Sequence, residues 1–205
     1  MAPPRRVVLL GGTFDPLHSG HLAVADQVAA ALRAEEIWLI PTNLPPHRPA
    51  PEAGVDDRLA MVGAAAQARA DLVVIDAEAR RPGVSYTIDT LEELAQRHRD
   101  LEMWFLLGAD AAREIGSWRG SVRLLAANCF AIVNREGVDE MTDAEAAGLG
   151  FDPARTRLLR VDSPPISATD IRRRVREGRS IAGLVPQPVA SVIEARGLYR
   201  AAAVK

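Results

Sequence analysis

The chain has 205 residues, 48% of them hydrophobic, with a formal net charge of −2 at neutral pH. That length allows one large domain, or a domain plus a small appendage, with a substantial core, and the near-balanced charge gives no reason to expect a surface for nucleic acid or an acidic membrane. A single cysteine, Cys129 in the apolar run CFAIVNR, excludes a disulfide within the chain and suits a reducing compartment.

The first apolar run, Val7 to Leu10, is too short for a signal peptide or a membrane span. The expectation is a cytoplasmic protein. Strand signals then recur as RVVLLG, EIWLIP, LVVIDA, EMWFLLG, CFAIVN and LLRVD, short and rich in Val, Ile and Leu on both sides, as in a parallel sheet covered on both faces. Helical stretches separate them. HLAVADQVAAALRA sets Leu22, Ala25, Val28, Ala29 and Leu32 on one stripe. DDRLAMVGAAAQARA opens on Asp56 or Asp57 as the expected cap, and SYTIDTLEELAQRH has Ser85 or Thr87 near its start. Alternation of this kind predicts an α/β fold, a Rossmann-like doubly wound parallel sheet with flanking helices. ISATDIRRRVREG and PQPVASVIEARGLY follow without an intervening strand and predict a small C-terminal helical cap. The expected organisation is one domain over 1–205, with a core over 1–162 and a helical segment over 163–205. The proline-rich TNLPPHRPAPEAGVD reads as a long loop, and long loops in compact domains are often functional.

The most informative stretch is GGTFDPLHSGH, Gly11 to His21, between the first strand and the first helix. In open α/β sheets ligands bind beyond the carboxyl ends of strands. Gly11 and Gly12 let a ligand approach the backbone, and a helix start after Ser19 offers N–H groups and a positive dipole end to a phosphate. His18 and His21, three apart, share a face of the first turn. Two such imidazoles can bind a metal, move a proton or hold phosphate oxygens. A metal needs further ligands, and none stands nearby in the sequence, so no protein-held metal is expected.

On these residues the chain resembles the nucleotidyltransferase α/β-phosphodiesterase superfamily. GTFDPLHSGH is similar to its (H/T)xGH loop, and ISATDIR, Ile166 to Arg172, to its ISxTxxR signature. SYTIDTL, GADAAREIGSW and VPQPVASVIEARGLY resemble the matching segments of the bacterial nicotinate mononucleotide adenylyltransferase family, so the likeness runs from Val7 to Tyr199. It implies transfer of the adenylyl group of ATP to nicotinate mononucleotide, giving deamido-NAD and pyrophosphate, by direct in-line attack. It implies Mg²⁺ as the ATP counter-ion, small-molecule partners only, and room for a homo-oligomer.

By position, the resemblance assigns ATP to Gly11, Gly12, Thr13, Phe14, His18, His21, Ser167, Thr169 and Arg172, with His18, His21 and Arg172 the catalytic set. It assigns the mononucleotide to Arg48, Tyr86, Thr87, Gly108, Asp110 and Trp118. Trp118 would stack on the pyridine ring; Asp110 would contact ribose or cap a helix. Arg48 stands where the family usually has lysine, keeping the charge but not the shape. Glu114 stands where some relatives have an aromatic, which predicts a more open ring pocket, and Ala168 replaces a frequent serine. A phosphopantetheine adenylyltransferase typically has threonine at the first histidine and is shorter, and His18, SYTIDTL and the tryptophan segment speak against it; a cytidylyltransferase usually carries a longer RTxGISTT-like signature, which is absent here. A noncatalytic nucleotide sensor is the alternative from another class, since fold alone does not exclude it.

Overall fold

The computed structural model describes residues 4–44, 50–135 and 139–201. The strands are β1 (Arg5–Gly12), β2 (Glu36–Pro41), β3 (Leu72–Val74), β4 (Leu101–Gly108), β5 (Cys129–Arg135) and β6 (Thr156–Val161). They form one sheet in the order β3-β2-β1-β4-β5-β6 with every pair parallel. The chain moves outward from β1 to β3, then crosses back to lay β4 on the other side of β1. The switch point therefore lies between the carboxyl ends of β1 and β4, where doubly wound sheets bind ligands.

The helices among the described residues are α1 (Ser19–Leu32), α2 (Val55–Gln67), α3 (Ala77–Arg80), α4 (Thr87–Arg97), α5 (Ala109–Arg113), α6 (Ser121–Ala127), α7 (Asp143–Gly148), α8 (Ala168–Arg176) and α9 (Gln187–Ala195), with a 3₁₀ turn η1 (Ile115–Ser117). Strand side chains alternate between faces, so each strand feeds two cores. Val8, Leu10, Ile37 and Leu39 pack with Leu22, Ala25 and Val28 of α1 and Met61 and Val62 of α2. Val7, Leu9, Trp38 and Ile40 pack with Ile88, Leu91 and Leu94 of α4 and Leu124 of α6. This double burial is why the strands read as continuous apolar runs.

All six expected strands form, with β3 shorter than LVVIDA: Ile75 still donates to the Leu39 carbonyl, but the chain turns into α3 after Asp76. The buried stripe of α1 takes in Val24 and Gly20, while Ala29 is only half-buried. Neither Asp56 nor Asp57 caps α2. The cap position is Gly54, and both aspartates sit in the first turn, where they complement the helix dipole without a capping bond. Tyr86, between the two residues expected near the start of α4, takes its cap position.

The C-terminal helices share the first core. Ile171, Val189 and Ile193 pack in the same cluster as α1 and α2, and α9 lies against α2. A buried cation and a buried anion tie this side together. Arg58, 1% exposed, donates to the carbonyls of Thr13, Thr42, Asn43 and Ala53. Burial pushes its guanidinium below its ordinary value, but the group stays a cation. Asp15 accepts from the amides of Glu52 and Ala53, and from the Tyr199 hydroxyl at 2.7 Å. Burial first, then this bond, holds the Tyr199 phenol well above its ordinary value, so it remains a donor. Tyr199→Phe removes that donor from a buried carboxylate. The expected loss is about 1.5–3 kcal/mol, the usual range for a hydrogen bond to a charged group. Urea denaturation checks it: an unchanged midpoint would mean the tail is anchored by packing alone.

Candidate active site

The β1–α1 connection forms the floor of a cavity of about 870 Å³ at the switch point. Gly12 is required there by close packing: a Cβ on it would lie 2.9 Å from the Phe14 ring. Phe14 adopts a positive φ of 50° and is buried, its ring edge-on to that of His21 at 5.4 Å. Phe14 is thus a core side chain, and only its backbone is placed to meet a ligand.

The two histidines cap α1 reciprocally. His18 is the cap residue; its Nδ1 accepts from the His21 amide, and the His21 Nδ1 accepts from the His18 amide, both at 3.3 Å. The rings stack at 3.6 Å between centroids, 19° apart. Gly20 leaves room for this, since a Cβ there would come within 3.1 Å of the His18 ring. A nitrogen that accepts from an amide carries no proton, so the neutral form of each ring holds its proton on Nε2. Two of the amides expected to be open at this helix start are engaged: the Ser19 amide donates to the Leu184 carbonyl and the His21 amide to His18. Both histidines line the cavity.

Ser167 is the cap of α8, its hydroxyl accepting from the Asp170 amide. Ser167, Thr169 and Arg172 all line the same cavity as the histidines. Arg172 is already engaged: Nε donates to Glu52 at 2.7 Å, and Nη1 donates to the Asp15 carbonyl at 2.8 Å. Arg176 holds the other Glu52 oxygen at 2.7 Å. Burial would raise the Glu52 carboxyl, but Arg172 and then Arg176 outweigh it and hold it below the usual range.

The remaining wall comes from α4, α5 and η1. Tyr86, Thr87, Gly108, Asp110, Glu114 and Trp118 line it. Trp118 packs partly on the second core while bordering the cavity, so core and ligand-facing readings of it are compatible. Gly108, not Asp110, is the cap of α5; Asp110 lies in the first turn with its carboxylate over the Gly108 backbone. Arg48 and His47 lie outside the described residues. Sequence reasoning missed Asp15, Glu52, Arg58, Glu78 and Arg119. Asp15 stands inside the quoted loop, yet its partners are dozens of residues away, so no spacing announces them. Among the described residues no group of three or more His, Cys, Asp or Glu side chains could hold a metal, and no helix is long and apolar enough to cross a membrane.

A cytidylyltransferase-like family model matches residues 9–174. A probable nicotinate-nucleotide adenylyltransferase of Desulfitobacterium hafniense (strain Y51) is 40% identical over 202 residues, covering 97% of this chain and 98% of the relative. One from Pseudomonas fluorescens (strain Pf-5) is 39% identical over 211 residues, covering 96% and 98%. The fold matches that of Plasmodium falciparum nicotinic acid mononucleotide adenylyltransferase complexed with NaAD, with a TM-score of 0.76, 20% identity, and coverage of 95% of this chain and 97% of that one.

The capping bond and the ring can be separated by mutation. His18→Asn keeps an acceptor for the His21 amide, whereas His18→Ala removes it. The alanine variant should be less stable than the asparagine variant by about 1 kcal/mol, the usual worth of a side-chain cap. Equal thermal midpoints would show that the imidazole does not support the helix start.

Proposed function

The chain belongs to the nicotinate-nucleotide adenylyltransferase family of cytidylyltransferase-like nucleotidyltransferases, and from that premise we propose that it transfers the adenylyl group of ATP to nicotinate mononucleotide in NAD biosynthesis, in the cytoplasm, with release of pyrophosphate. The mononucleotide 5′-phosphate attacks the α-phosphorus in line, with no covalent enzyme intermediate. The observation that carries this reading is the reciprocal histidine cap. It makes both rings N–H donors through Nε2, suited to oxygens that gain charge, and unsuited to taking a proton from a nucleophile. A phosphate nucleophile is already an anion and needs no base, so catalysis reduces to positioning and charge stabilisation.

In this reading the ATP phosphates lie across His18, His21 and the start of α8, with Arg172 contributing charge in place of its contact with Glu52. Amides of Gly12 to Phe14 support them from the loop. Mg²⁺ would arrive with ATP, held mainly by phosphates and water. The mononucleotide lies against Trp118 and Asp110, with Arg48 the further residue that the family resemblance assigns to it. Its base carboxylate faces the start of α4. There the amides of Asp89 and Thr90 already donate to the Tyr86 carbonyl, while those of Thr87 and Ile88 have no acceptor among the described residues.

The test is pyrophosphate release from ATP and nicotinate mononucleotide, with intact-mass measurement after ATP alone. Release without any adenylylated protein is the expected result; a mass gain of one adenylyl group would overturn the direct mechanism. His21→Ala should lower kcat roughly a hundred- to a thousandfold, as for loss of one donor to a developing oxyanion, with an unchanged circular dichroism spectrum. Turnover near that of the wild type would remove the histidines from the chemistry. Arg172→Ala should raise KM for ATP more than for the mononucleotide, and the reverse order would place α8 on the other substrate.

A further inference from the structure

The cavity wall built by α3, α4, α5 and η1 carries three carboxylates, Glu78, Asp110 and Glu114. A substrate with its own carboxylate is repelled by them unless a cation answers. Apart from the histidine rings, the described residues lining the cavity include two cations. Arg172 is one, and it is held by Glu52 and the Asp15 carbonyl. Arg119, directly after Trp118, is the other.

Arg119 stands over the start of α4. Its guanidinium carbon lies 4.6 Å from the centroid of the Tyr86 ring, and Nη1 lies 3.4 Å from Asp89 in the first helical turn. The 4.6 Å separation is within the range of a cation–π contact, which holds the guanidinium near the ring. The contact with Asp89 is long beside the 2.7–2.9 Å, roughly, of a charge-assisted hydrogen bond. That is its one hydrogen bond among the described residues, so most of its five N–H donors remain for a ligand. Asp89 balances part of its charge without engaging the whole fork.

We propose that Arg119 is a specificity-determining residue that reads the carboxylate of a pyridine mononucleotide. This rests on the function proposed above, which lays the pyridine ring against the neighbouring Trp118. A planar guanidinium matches the two oxygens of a pyridine carboxylate; the NH₂ of a carboxamide presents donors to donors. Arg119 thereby adds a full charge to the partial charge of the α4 start, and it offsets the three carboxylates of the same wall.

The experiment compares kcat/KM for nicotinate and nicotinamide mononucleotides, at saturating ATP and Mg²⁺, in the full chain and in Arg119→Gln and Arg119→Lys. The nicotinate-to-nicotinamide ratio should fall roughly tenfold in Arg119→Gln, between the worth of an exposed ion pair and that of a sheltered charge-assisted bond. The change should sit in KM for nicotinate mononucleotide. Arg119→Lys, which keeps the charge, should recover part of the ratio. Raising the salt concentration should erode the preference of the wild type more than that of Arg119→Gln, because the Arg119 side chain is exposed. An active wild type whose ratio is unchanged in Arg119→Gln, or a parallel loss for both substrates, overturns the role of Arg119 alone. A wild type that releases no pyrophosphate with either mononucleotide overturns the parent reading and this one together.

Discussion

One buried carboxylate organises this molecule. Asp15 is 6% exposed and sits in the loop that leaves the central strand. It binds the amides before α2 and the hydroxyl of Tyr199, and its carbonyl receives Arg172 from α8. A buried charge is tolerated only where hydrogen bonds and opposite charge replace water. Here the replacements come from three distant segments, so satisfying Asp15 and assembling the cavity are the same event. Arg58 does the complementary work with a cation. It collects the carbonyls of Thr13, Thr42, Asn43 and Ala53, which would otherwise lack partners where the ends of β1 and β2 meet α2.

The sheet explains why this assembly sits where it does. Both faces of β1 and β4 are buried through their central residues, so those side chains have no freedom to slide, and the carboxyl ends of the two strands open on the cavity. The short helices α5 and η1 and the start of α4 border that opening on one core; α1 and α8 border it on the other. A ligand across the switch point therefore touches both layers. The histidine pair shows the same economy: each ring supports the other's backbone through Nδ1, and that support sets the proton on Nε2. The fold determines the chemistry of the rings through their tautomer.

Much of this was legible in the sequence because the relevant signals are local. Apolar runs disclosed six strands, and the loop GGTFDPLHSGH and the signature ISATDIR marked the two helix starts that meet in the cavity. Less legible were features that depend on partners far along the chain. Nothing around Asp15 announces Tyr199, and nothing in DDRLAM distinguishes the buried Arg58 from a solvated arginine. The aspartates of α2 illustrate the limit of local rules: their type suits a cap, but the chain enters that helix two residues earlier, through Gly54. The small helices α3, α5, α6 and α7 are too short for periodicity to reveal, since one or two turns carry no repeat.

Charge placement gives the two sides of the cavity different tasks. On the α8 side, Arg172 and Arg176 bracket Glu52, so the fold orients the Arg172 guanidinium at the cavity before any substrate arrives. Freezing a long cationic side chain costs conformational entropy, and here that cost is met during folding. Under the proposed function a polyphosphate would compete with a carboxylate for a group already in place, and such preorganisation favours stabilising the transition state over merely gripping substrate. On the α4 side, Arg119 sits over the Tyr86 ring with a loose contact to Asp89, leaving its fork adaptable. Under the proposed function, the fixed charge of Arg172 would serve the step where bonds change and the adaptable one of Arg119 the choice of base, a division suited to a single cavity that must both catalyse transfer and tell two similar bases apart.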